Sequence, residues 1–141
     1  MCGILKPGKG HVSLFGKKIE RMKPESLVGD VAVVFQDPGL MLFCDTVWKE
    51  VCFGPNNLKI EDKEIKRRAR EALNIMTLED QLPEPPQALS GGQRLRAAVA
   101  SVLSMNPRII LLDEPTSGQD KRNITSFMAH LQNLSDNNIT S

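Results

Sequence analysis

The sequence predicts an α/β fold built on a parallel sheet. Three observations carry that reading. Residues 31–35 (VAVVF) and 109–112 (IILL) are short continuous apolar runs, the pattern of strands buried on both faces. Amphipathic helical stretches separate and follow them, as in alternating strand–helix folds. Both runs end in polar residues, Gln36 in one case and Asp113 with Glu114 in the other. Ligands of open parallel sheets sit at that end of the strands.

Taken in order, residues 11–15 read as a strand and Gly16, Lys17 and Lys18 as its turn. The run at 31–35 follows Gly29 and Asp30, and residues 36–39 (QDPG) break it into a loop. From Glu61 the chain is charged and helical, with Ile65, Ala69, Ala72, Leu73 and Met76 on one stripe. Pro83, Pro85 and Pro86 interrupt it. A second amphipathic helix is expected over 91–104, with Leu95, Ala98, Val99, Val102 and Leu103 at helical spacing, ended by Asn106 and Pro107. Residues 56–104 together form a helical insertion within a single domain spanning 1–141. A third helix is expected over 121–134, with Ile124, Phe127, Met128 and Leu131 facing inward.

Bulk properties narrow the function classes. A chain of 141 residues suits one domain with its own core. A net charge of +1 gives no footprint for nucleic acid or an anionic membrane. Three cysteines without a C-x-x-C pair fit neither a disulfide framework nor a zinc site, and free thiols suit a reducing compartment. No apolar run approaches a bilayer span, so any membrane role is expected to run through a partner.

Two segments carry chemistry. In the first, four apolar residues anchor a strand whose exit bears Asp113 and Glu114. One carboxylate can hold Mg²⁺ beside nucleotide phosphates. Its neighbour points elsewhere and can address an attacking water. A solvated acidic turn explains the same residues equally well. In the second, Ser90, Gly91, Gly92 and Gln93 have the form of a capping box opening a helix. The glycines admit a ligand close to the backbone, and such a helix start suits an anion. An ordinary capped helix is the competing reading.

The order of these segments decides between them. Residues 89–93 (LSGGQ), then 109–120 (IILLDEPTSGQD), with Gln36 after its strand, resemble the signature, Walker B, D-loop and Q-loop series of ABC ATPases. The resemblance spans nearly the whole chain and implies a P-loop NTPase-type parallel sheet with an α-helical insertion, truncated at both ends. Residues 35–38 (FQDP), Leu42, Phe43, Thr46, Val47 and 53–58 (FGPNNL) are similar to the ATPases of energy-coupling-factor importers of vitamins, cobalt and nickel.

The resemblance implies ATP and Mg²⁺ as ligands and two ATPase subunits, alike or paralogous, closing head to tail. Asp113 would hold Mg²⁺ through water, and Glu114 would polarise the attacking water. Gln36 would reach the metal and the γ-phosphate. Ser90, Gly91, Gly92 and Gln93 would bind the γ-phosphate of the ATP held by the other subunit. Asp120 would lie at the dimer interface, where Gln119 departs from the usual apolar residue. The implied location is the cytoplasmic face of the membrane, bound to membrane-embedded transporter subunits that receive energy for solute import. Leu42 or Phe43 is expected to line the groove that takes a short helix from those subunits.

Two family parts are not matched. The segment from Gly3 to Gly10 nearly has the spacing of a phosphate-binding loop. However, Gly10 stands where a hydroxyl residue belongs, and Pro7 with three glycines reads as a loop. The true loop is expected upstream of Met1, and the switch histidine beyond Ser141. This chain alone is therefore expected to be inactive. The alternative reading is a non-catalytic fragment that lends only its signature helix to an intact partner.

Overall fold

The computed structural model describes residues 9–19, 22–115 and 125. A small antiparallel hairpin comes first, pairing β1 (Ser13–Leu14) with β2 (Lys17–Lys18). Its turn is Phe15–Gly16, not the expected 16–18. Both turn residues have positive φ, 51° and 75°, as a two-residue type I′ turn demands. Gly16 supplies the second at no steric cost. The guanidinium of Arg108 lies 3.6 Å over the Phe15 ring and ties the hairpin to the chain just before the last strand.

The described sheet core pairs β3 (Val31–Val34) with β4 (Ile109–Leu112), parallel and in register from Val31 opposite Ile109 to Val34 opposite Leu112. Asp30 fixes the entry to that register. Its carbonyl accepts the N–H groups of both Arg108 and Ile109.

Three helices occupy the interval between the two strands. They are α1 (Val47–Asn57), α2 (Asp62–Ile75) and α3 (Gly91–Leu103), and each packs on the other two. All five residues of the predicted α2 stripe are buried, as are all five named for α3. On the solvent side of α2, Glu64 pairs with Arg67 and Arg68, and Arg67 also pairs with Glu71. The two guanidinium groups hold the Glu64 carboxyl down at about 2. Arg68 is half-buried and not part of a fully solvated face, reaching the Met105 carbonyl at 3.5 Å.

Helix α1 has no counterpart in the sequence reading, because Gly54 and Pro55 look like a break. Thr46 caps its start, its hydroxyl accepting from the Lys49 N–H. Pro55 sits in the last turn and has no N–H for the carbonyl of Val51, its partner in a regular helix. The fully buried Ser104 hydroxyl lies 2.7 Å from that carbonyl and 2.8 Å from the carbonyl of Ser101, and shares its one proton between them. A Cβ at Gly54 would lie 2.6 Å from the Met105 sulfur. The glycine lets the end of α1 close onto the end of α3. Of the helix expected over 121–134, Thr125 is helical and the remainder lies outside the described residues.

Candidate functional site

The carboxyl ends of β3 and β4 bring three predicted residues together. The Asp113 N–H donates to the Val34 carbonyl at 3.0 Å, extending the pairing one residue past β4. Gln36 then stands opposite Glu114, and its Nε2 donates to Glu114 Oε2 at 3.0 Å across 78 residues of chain. Asp113 and Glu114 are both exposed. Glu114 has φ 43°, a left-handed conformation uncommon for a residue with a side chain. Backbone strain of this kind collects at functional sites.

The donor chemistry fits a hard cation. Gln36 spends its amide N–H on Glu114, which leaves Oε1 as an acceptor. With the Asp113 carboxylate, that makes an oxygen face of the kind Mg²⁺ prefers. Among the described residues no cluster of three His, Cys, Asp or Glu side chains could hold a metal by itself. Phosphate and water oxygens would have to complete the shell.

The second predicted cluster lies at the start of α3. Ser90 Oγ accepts from the Gln93 N–H at 3.3 Å, and Gln93 Oε1 accepts from the Ser90 N–H at 2.9 Å. This is a complete capping box. Gly91 is exposed and Gly92 buried. One turn on, Arg96 is half-buried, and its Nε has no hydrogen-bond partner among the described residues. Among these residues no hydrogen bond joins Ser90–Gln93 to Gln36, Asp113 or Glu114. The two clusters are separate, and Asp120 lies outside the described residues.

A third feature adjoins the sheet edge. The loop after Gln36 is held at its start by Met41, whose sulfur accepts from the Phe35 N–H at 3.3 Å. Leu42 is 5% exposed and belongs to the core, so it does not line a docking surface. Phe43 is 63% exposed and meets the Phe53 ring edge-on, with centroids 4.8 Å apart. Phe53, Trp48, Cys52 and Ile65 wall an adjoining groove of roughly 470 Å³ between α1 and α2, with Cys44, Lys49 and Lys66 also facing it. Burial pushes both the Cys44 and Cys52 thiols up, and the Glu50 charge adds to the effect at Cys44. Both thiols are therefore protonated, poor nucleophiles.

Sequence reasoning missed Glu50 and Ser104. A charged residue between Val47 and Val51 on an inward helical stripe was the available signal for Glu50. For Ser104 the signal was a proline in helix α1 that needs a donor from elsewhere.

A family profile for the ABC transporter matches residues 1–117. The chain belongs to the ABC transporter family. Its relatives include the energy-coupling factor transporter ATP-binding protein EcfA of Methanococcus maripaludis, 43% identical over 141 residues, covering 98% of this chain and 50% of that protein. The cbiO1 structure of Clostridium perfringens, part of the ABC transporter complex cbiONQ, superposes with a TM-score of 0.92 at 36% identity, over 99% of this chain and 57% of that one. The ATP-binding cassette MJ0796, solved as a post-hydrolysis dimer bound to ADP and phosphate, superposes with a TM-score of 0.79 at 28% identity, over 99% and 63%. The α/β architecture is thus that of an ABC ATPase domain. The chain spans half the length of that EcfA protein and a fifth of the length of a 50% identical putative ABC transporter ATP-binding protein of Methanosarcina acetivorans.

Proposed function

We propose that the chain is part of an ATP-binding and ATP-hydrolysing subunit that powers solute import by an ABC transporter of the energy-coupling-factor type. The observation that carries the proposal is the Gln36–Glu114 hydrogen bond beside Asp113 at the carboxyl edge of a parallel sheet. The likeness to EcfA and cbiO1 supports the import assignment.

In this reading Asp113 and Gln36 Oε1 would hold Mg²⁺ beside the γ-phosphate. When bound, the ion neutralises charge on the phosphate oxygens. Glu114 orients the attacking water and accepts its proton as the oxygen adds to the γ-phosphorus, while the bond from that phosphorus to the β–γ bridging oxygen breaks and ADP leaves with the electron pair. Gln36 fixes the carboxylate for this task by occupying Oε2, which leaves Oε1 for the water. Ser90, Gly91, Gly92 and Gln93 bind the γ-phosphate of the ATP held by a second subunit, where the helix start and the N–H groups that the capping box leaves unused favour an anion. Asp120 joins the same interface.

No helix among the described residues is long and apolar enough to cross a membrane. Attachment runs through the groove between α1 and α2 with Phe43 at its rim, which receives a short amphipathic helix from the membrane subunit. The protein then works at the cytoplasmic face of the membrane.

Glu114→Gln in the full-length subunit tests the chemistry. ATP stays bound while phosphate release falls by about 10² to 10⁴. Release within a few-fold of the parent would remove Glu114 from the reaction.

A further inference from the structure

The groove's two nearest loop residues are held from beneath by one buried side chain. Glu50 is 3% exposed. Its Oε2 accepts the Phe43 N–H at 2.8 Å and the Cys44 N–H at 2.7 Å. Phe43 forms the rim against Phe53, and Cys44 forms part of the wall. Glu50 itself faces the interior and presents nothing to a partner.

We infer that Glu50 is a positioning residue for docking, fixing Phe43 and Cys44 in the geometry that receives the membrane subunit's helix. The inference rests on the docking reading above.

Three physical points support it. First, a buried carboxylate is costly unless its lone pairs are satisfied, and here two consecutive backbone donors converge on one of its oxygens. Charge-assisted bonds of this kind are short and strong, and they fix the backbone path at residues 43 and 44. Second, the locked backbone carries a large aromatic that stays mostly in solvent. An exposed aromatic on a rigid support suits an anchor that loses little freedom on binding. Third, the same loop runs back to the sheet edge through the Met41–Phe35 contact, so the rim and Gln36 share one short tethered segment. The expected occupant is a short helix that seats an apolar side chain between Trp48, Cys52 and Ile65.

The test is a double-mutant cycle in the full-length subunit with Glu50→Gln, Phe43→Ala and the pair. Affinity for the purified membrane subunit of its own transporter is measured in detergent, with a thermal melt of each variant. Glu50→Gln should weaken docking by about three- to tenfold. On the Phe43→Ala background the same substitution should have a clearly smaller effect. An equal loss on both backgrounds, or no loss from Glu50→Gln alone, would overturn the inference. If Glu50→Gln does not fold, Glu50→Asp keeps the charge but shortens the reach, and the same cycle decides with the same criteria. A parent subunit that does not bind the membrane subunit at all would instead defeat the docking reading, and this inference with it.

Discussion

The helical region and the sheet region of this chain are packed very differently. In α1, α2 and α3 the inward residues are shut off from water, with Val47, Val51, Ala69, Leu73, Ala97, Ala98, Val99 and Ala100 all at 0% exposure. Strand β3 alternates instead, and β4 buries only Ile110. Ala32, Val34 and Ile110 are buried against the helices, whereas Val31, Val33, Ile109 and Leu111 are only half-covered. Yet both strands are apolar at every position, the composition of strands covered on two faces. The helices supply a finished core that holds one sheet face and the strand register. The polar edge, with Gln36, Asp113 and Glu114, stands on strands whose other face is only half-covered.

The largest effect should come from cutting into the finished core. Leu73→Ala removes a fully buried side chain and should cost about 2–5 kcal/mol in urea unfolding. Leu111→Ala, on the half-covered face, should cost distinctly less in this chain. The gap should narrow in the full-length protein if additional structure covers that face. Equal costs in the 141-residue chain would break the comparison.

A smaller effect sharpens it inside the helical region. Ser104→Ala should cost about 1–3 kcal/mol, because the Val51 and Ser101 carbonyls lose the hydroxyl they share. On a Pro55→Ala background residue 55 regains an N–H for that carbonyl, so the cost of Ser104→Ala should shrink. Additive costs would mean that the hydroxyl stabilises by packing and not by replacing the missing donor.

Much of this was legible in the sequence where a periodic or reciprocal pattern exists. The α2 stripe follows from helical spacing, and the Ser90–Gln93 capping box from residue types three apart. The meeting of Gln36 with Glu114 follows from two parallel strands ending on one side. What escaped has no local period. Helix α1 was hidden by Gly54 and Pro55, whose reasons lie some fifty positions away, in the Met105 side chain that leaves no room for a Cβ and the Ser104 hydroxyl beside the Val51 carbonyl. Leu42 and Phe43 are adjacent and equally apolar, and only the loop path sends one inward and the other out. The Phe15–Gly16 turn required a positive φ at a phenylalanine, which propensity argues against.

In the proposed function the sheet edge and the start of α3 are halves of one site, contributed by different subunits. Light scattering on the full-length Glu114→Gln protein with Mg-ATP tests it most directly. The mass should double on adding nucleotide. Adding Ser90→Arg to that variant should leave it monomeric while it still binds ATP through its own sheet edge. Doubling by the Ser90→Arg/Glu114→Gln protein as complete as that of Glu114→Gln alone would contradict the claim.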